Sequence, residues 1–126
     1  MTIRILDVGQ CGVDAARMAG IWQTKLSATV DRCHFAHDAL ERITRTRYDL
    51  ILVNRVLDVD NSSGLDLIRD MIKSGTSTPV MLVSNYSEAQ KEAVALGAIH
   101  GFGKADLDKF STVELVKRAT SSQKVP

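Results

Sequence analysis

A chain of 126 residues is long enough for one domain with a hydrophobic core and too short for two ordinary ones. Sixteen basic residues against fifteen acidic ones leave a formal charge of +1, so no long-range field draws the protein to nucleic acid, a membrane surface or an acidic partner. Met1-Thr-Ile-Arg-Ile-Leu-Asp7 lacks the basic and apolar regions of a secretory leader, and no later run reaches bilayer-crossing length, which points to a cytoplasmic protein with no membrane partner. Cys11 and Cys33 have no Cys-x-x-Cys spacing and read as reduced, small apolar residues.

In chain order, apolar runs of strand length alternate with segments of helical spacing, the pattern of a parallel sheet covered on both faces. The strand candidates are Ile3–Val8, Ala28–Cys33, Asp49–Val53, Val80–Ser84 and Ile99–Phe102. Between the first two, Ala15, Met18, Ala19, Trp22 and Leu26 share one helical face, which makes Trp22 a core residue. Ala36, Ala39, Leu40 and Ile43 mark a second helix, and Leu65, Ile68, Met71 and Ile72 a third. Ser87 with Gln90 and Ser111 with Glu114 match the capping-box pattern at the starts of helices four and five. Gly97 stops helix four, the domain spans residues 1–120, and residues 121–126 form a frayed tail.

This order predicts a doubly wound α/β domain whose site lies beyond the carboxyl ends of the strands. The loops to inspect are Gly9–Gly12, Asn54–Gly64, Ser84–Tyr86 and Gly103–Ala105.

Ile3-Arg-Ile-Leu-Asp-Val8, Tyr48-Asp-Leu-Ile-Leu-Val53, Pro79-Val-Met-Leu-Val-Ser84, Gly97-Ala-Ile-His-Gly-Phe-Gly-Lys104 and the helix start Gly64-Leu-Asp-Leu67 resemble the signatures of response-regulator receiver domains, the CheY-like family. The resemblance covers nearly the whole chain. It implies a flavodoxin-like sheet of order 2-1-3-4-5 with five helices and a role in two-component signal transduction. In that family two acids after strand one and an aspartate ending strand three hold magnesium, and the aspartate accepts a phosphoryl group. A hydroxyl residue and a lysine, which Ser84 and Lys104 match, contact the phosphoryl oxygens.

The acids themselves are missing. Asn54 stands at the phosphoacceptor position and Gly9 and Gln10 at the acidic pair, although a shifted register would bring Asp7 to one of those positions. A carboxamide nitrogen has its lone pair delocalised and is no nucleophile toward phosphorus. Magnesium, a hard cation reluctant to shed water, loses its reason to bind once the carboxylates are gone. The expectation is therefore no metal, no cofactor and no catalysis at this pocket. The loop after Asn54 is longer than the family's, Lys104 is followed by Ala105 where the family commonly has proline, and the family's reporter aromatic falls on Gly101 with Phe102 beside it.

Lys104 needs a counter-ion, for which Asp7, Asp58 and Asp60 are the candidates. Ser84 has no histidine placed to activate it and reads as a hydrogen-bonding strand end rather than a nucleophile. Tyr86, His100 and Phe102 mark a partner surface around helix four, strand five and helix five. Three functions stay open: a phosphorylation-independent pseudo-receiver acting by protein–protein contact, with a homodimer as one form; a receiver phosphorylated on Asp58 or Asp60; and a nucleotide or anion binder using Gly9–Gly12, where Cys11 at a helix start also admits a redox role.

Overall fold

The computed structural model describes residues 2–121. Five parallel strands, β1 (Arg4–Val8), β2 (Thr29–Cys33), β3 (Leu50–Asn54), β4 (Val80–Val83) and β5 (Ile99–Phe102), form one sheet of order β2-β1-β3-β4-β5, the order expected. The helices α1 (Gly12–Leu26), α2 (Ala36–Arg45), α3 (Gly64–Lys73), α4 (Ser87–Leu96) and α5 (Phe110–Ser121) connect and follow the strands, with a 3-10 turn over Lys104–Asp106 ahead of α5. Ser121 belongs to α5; the rest of the tail expected to fray, residues 122–126, lies outside the described residues.

Alternation along the buried strands divides the core in two. Leu6, Val8, Ile51, Val53 and Leu82 meet α2, α3 and α4 through Ala39, Ile68, Met71 and Ala93. Ile5, Leu50, Leu52, Met81 and Val83 meet α1 and α5 through Met18, Trp22, Val116 and Ala119. Trp22 is wholly buried and lies edge-on to Phe102 at 5.8 Å.

Local chemistry sets the helix ends. Ser63 accepts a hydrogen bond from the Asp66 amide at 3.2 Å and so caps α3. Gly97 closes α4 at φ 116°, a left-handed position whose added Cβ would press on Ile72. The two capping boxes do not form. The residue preceding α4 is Tyr86 with no side-chain cap, while Ser111 is already inside α5 and the Thr112 hydroxyl instead bonds the Asp106 carbonyl at 2.7 Å. No helix among the described residues is long and apolar enough to cross a membrane.

Candidate functional site

Four strand ends converge at one edge, and Asn54 occupies their centre. It terminates β3, the middle strand, and its Nδ2 donates to the Gly9 carbonyl at 3.0 Å and the Val56 carbonyl at 2.8 Å. Only a donor fits between two carbonyl oxygens, so the carboxamide is oriented by its surroundings. It pins the loop after β1 to the loop after β3.

Gly9 is held in the left-handed region at φ 80°, its amide donates to the Cys33 carbonyl, and its own carbonyl also accepts from the Asp58 amide. A Cβ at this position would come within 2.4 Å of Leu57 Cδ2 and 3.0 Å of Leu57 Cα. Leu57 is wholly buried, a burial that stabilises by about 2 kcal/mol, and it draws the lengthened loop down over β1. The Leu57 amide bonds the Ser62 carbonyl and the Asn61 amide bonds the Leu57 carbonyl, so the loop closes on itself. Gln10 is also fully buried; its carbonyl accepts from Arg32 at 3.0 Å, and its side-chain nitrogen and oxygen have no hydrogen-bond partner.

Ser84 follows β4, where its hydroxyl accepts from the Tyr86 amide at 3.1 Å and its amide donates to the Phe102 carbonyl. Beside it the buried Gln90 carboxamide donates to the carbonyls of Leu82 at 2.8 Å and Ser84 at 3.2 Å and accepts from the Gly101 amide at 3.0 Å. Gln90 therefore ties α4 to β4 and β5 instead of capping its helix. The register between β4 and β5 slips between the Met81–Ile99 and Val83–Phe102 pairs, a bulge that turns Phe102 inward. Phe102 is 6% exposed and packs on Trp22, which removes it from the expected partner surface. Gly101 could hold no aromatic residue, because its Cβ would lie 2.1 Å from the Leu82 carbonyl. Tyr86 and His100 remain exposed, and the Arg55 guanidinium lies over the Tyr86 ring at 4.8 Å.

Lys104 projects from the 3-10 turn after β5, and its Nζ sits 2.9 Å from the Asp14 carboxylate in the first turn of α1. This corrects the expectation that Asp7, Asp58 or Asp60 supplies the counter-ion. The Lys104 hydrogen bond holds the Asp14 carboxyl below the usual carboxylate range; partial burial opposes that, and the Cys11 thiol reinforces it. Asp58 and Asp60 stand on the exposed part of the loop, where Asp60 accepts from the Ser62 hydroxyl at 2.7 Å and the Ser62 amide at 3.0 Å. Those bonds keep the Asp60 carboxyl below its ordinary range. The Asn85 side-chain oxygen, meanwhile, takes the Ala105 amide at 3.1 Å and joins the loops after β4 and β5. Asn54, Arg55, Ser84, Asn85, Tyr86 and Lys104 line a shallow cleft of about 250 Å³.

Asp7 lies beneath this rim, 1% exposed, with neither carboxylate oxygen hydrogen bonded. Burial raises its pKa to about 7; the neighbouring Gln10 carboxamide, Arg32 and Lys104 hold it down, and Asp14 pushes it up.

These groups do not fit a magnesium ion. Asn54 turns a nitrogen donor toward the carbonyls, Leu57 fills the space a side chain at position 9 would need, and Asp14 is engaged by Lys104. No group of three His, Cys, Asp or Glu side chains capable of holding a metal occurs among the described residues. Sequence reading brought Gly9, Gln10, Asn54, Ser84 and Lys104 to one edge and missed Asp14, Leu57, Asn85 and Gln90. Asp14 alone carried a signal, since it lies three residues past Cys11 at the start of the helix that opens the site.

No family model matches the chain, and no curated protein matches it. Solved structures do. The signal receiver domain of an HD domain-containing protein from Pseudomonas fluorescens Pf-5 is 20% identical with a TM-score of 0.81, over 98% of this chain and 90% of that one. A CheY-like receiver domain protein from Methanospirillum hungatei JF-1 is 19% identical with a TM-score of 0.75, over 98% of both chains. A response regulator from Burkholderia pseudomallei, solved with a phosphorylated aspartic acid, a calcium ion and citrate, is 21% identical with a TM-score of 0.72, over 97% of this chain and 71% of that one. The fold is therefore the CheY-like receiver fold.

Proposed function

We propose that this chain is a receiver-fold signalling module of the two-component type that operates without aspartyl phosphorylation, by binding a protein partner rather than by catalysis. The observation that carries the reading is the Asn54 carboxamide, which donates to both the Gly9 and Val56 carbonyls where the receiver pattern has its phosphoacceptor. An amide so engaged is neither charged nor free to attack. Leu57 against Gly9 and Asp14 on Lys104 support the same reading, because each removes a group that phosphoryl chemistry would need.

The partner surface we favour lies between α4, β5 and α5, where Ser87, His100, Ser111, Leu115 and Arg118 line an open cleft of about 460 Å³. Val94 and Ile99 add exposed apolar area, at 45% and 39% exposure, and a second copy of the chain is one candidate occupant. Little favours the alternatives. Asp58 and Asp60 lack the lysine, which is on Asp14, and that Asp14 carboxylate stands two residues past the Gly9–Gly12 loop, where negative charge disfavours an anion.

Incubation with acetyl phosphate and magnesium, followed by intact mass and peptide mapping, tests the proposal. We expect no phosphoryl adduct. A stable adduct at Asp58 or Asp60 would replace this reading with the loop-acid alternative, and one at any other carboxylate would remove it.

A further inference from the structure

Asp7 is the only buried acidic side chain among the described residues, and its place in the sheet defines what surrounds it. At the paired positions, β3 presents apolar Leu52 and β2 presents Arg32. Arg32 donates one guanidinium N–H to the Gln10 carbonyl at 3.0 Å and lowers the Asp7 pKa more than Lys104 does. The loop after β1 adds the neutral Gln10 carboxamide, α1 adds Asp14 with the Cys11 thiol at its side and Arg17, itself paired with Asp108, three residues on, and the turn after β5 adds Lys104. α5 contributes the apolar Val116 and Ala119 to the core cluster that also holds Ile5 of β1. Two carboxylates thus compete for one mobile ammonium, and that ammonium is on Asp14 at 2.9 Å.

The arrangement suits a neutral Asp7. A buried carboxylate with only the neighbouring Gln10 carboxamide to bond it is costly, so loss of its proton favours the approach of a cation. Arg32 already acts on Asp7 from the paired strand position, so the cation left to move is Lys104, whose stem has the freedom to swing. We propose that Asp7 and Asp14 form a proton-operated latch on Lys104: with Asp7 neutral, Lys104 stays on Asp14 and ties the turn after β5 to the first turn of α1; with Asp7 ionised, Lys104 moves inward and that tie opens. The proton passes to solvent and the lysine keeps its charge throughout. Burial places the Asp7 transition at about 7, so the latch works near neutral pH. It requires no phosphoryl chemistry and stands whether or not the module is ever phosphorylated.

The chain carries its own reporter. Trp22, its single tryptophan, packs on Phe102, two residues before Lys104. The test is a carbon-13 titration of the aspartate side-chain carboxyls from about pH 5 to about pH 9, recording the Lys104 side chain and Trp22 signals in the same samples. In the wild type, the Lys104 and Trp22 signals should shift in step with the titration of the Asp7 carboxyl, with a midpoint near 7. Asp7→Asn, an isosteric stand-in for the neutral acid, should abolish the Lys104 and Trp22 transitions. Asp14→Asn should lower the Asp7 midpoint and Lys104→Met should raise it, and these two series decide the matter even if Asp7→Asn fails to fold. A carboxyl that does not titrate in this range, or one that titrates while the Lys104 and Trp22 signals stay still, overturns the latch.

Discussion

Asn54→Asp places an acid at the centre of the site, and it should weaken the fold without introducing phosphorylation chemistry. The wild-type Nδ2 bonds two carbonyls at 3.0 and 2.8 Å. Replacing it with a carboxylate oxygen removes both bonds, worth about 1 kcal/mol each, and sets negative charge against two carbonyl oxygens. Gly9 keeps its bond from the Asp58 amide, but the Val56 carbonyl loses the bond it has. The combined loss should be about 2 to 4 kcal/mol at alkaline pH. In the folded state the new carboxyl should have a raised pKa. Its contribution is then present in acid, where a protonated carboxyl can donate one bond, and is lost as pH rises through the folded pKa. Urea unfolding followed by Trp22 fluorescence, in EDTA at acidic and alkaline pH, measures both the size and the sign. Millimolar magnesium should not close the gap, because the metal would find a single carboxylate. Equal stability of Asn54→Asp and wild type in EDTA at alkaline pH would refute the bridging role of the carboxamide, and full rescue by magnesium would refute the claim that the site does not fit the ion.

Other expectations follow from the same geometry. Gly9→Asp should destabilise by about 2 to 4 kcal/mol, from the left-handed backbone and the Leu57 overlap, and adding Leu57→Ala should relieve the overlap part of that loss, which a double-mutant cycle by urea unfolding can read. Gln90→Leu should destabilise by about 2 to 3 kcal/mol by leaving the Gly101 amide and strand carbonyls without their partner, and a loss within error in thermal unfolding would argue against its role as a tie. The raised Asp7 pKa fixes a pH dependence of stability: the contribution is full below the unfolded value of 3.8 and is lost as pH rises through about 7. That shift corresponds to about 4 kcal/mol, and chemical denaturation across this range should show the decline in wild type and its absence in Asp7→Asn.

The sheet was legible because β1, β3 and β4 bury runs of β-branched and aliphatic residues and each helix a stripe, and both patterns survive in one dimension. The convergence of Gly9, Asn54, Ser84 and Lys104 was legible for the same reason, since all four follow strand ends. What the alternation does not carry is side-chain reach. Four acids lay near Lys104 in the fold pattern, and only the orientation of the first turn of α1 decides for Asp14. Gln90 carries a cap-like spacing from Ser87, yet its carboxamide is more strongly placed under the β4 and β5 carbonyls. Phe102 was read as a surface residue because the β4–β5 bulge, which inverts the expected facing, leaves no mark on residue spacing beyond Gly101.

On the proposed reading, each carboxylate missing from the receiver pattern leaves its neighbours a specific problem, and a different residue answers each one. Without charge at the end of β3, two carbonyls need a donor, and the Asn54 amide provides it. Without a side chain at position 9, the space above β1 would be open, and Leu57 fills it while closing the longer loop. Without an aspartate beside it, Lys104 would be an unpaired cation at the sheet edge, and Asp14 pairs with it from the helix. These answers interlock, since the Gly9 carbonyl takes bonds from both Asn54 and Asp58 and Asp58 directly follows Leu57. Residues sharing partners in this way do not contribute additively, so single substitutions to acids should disturb the whole arrangement rather than move the site stepwise toward phosphoryl transfer.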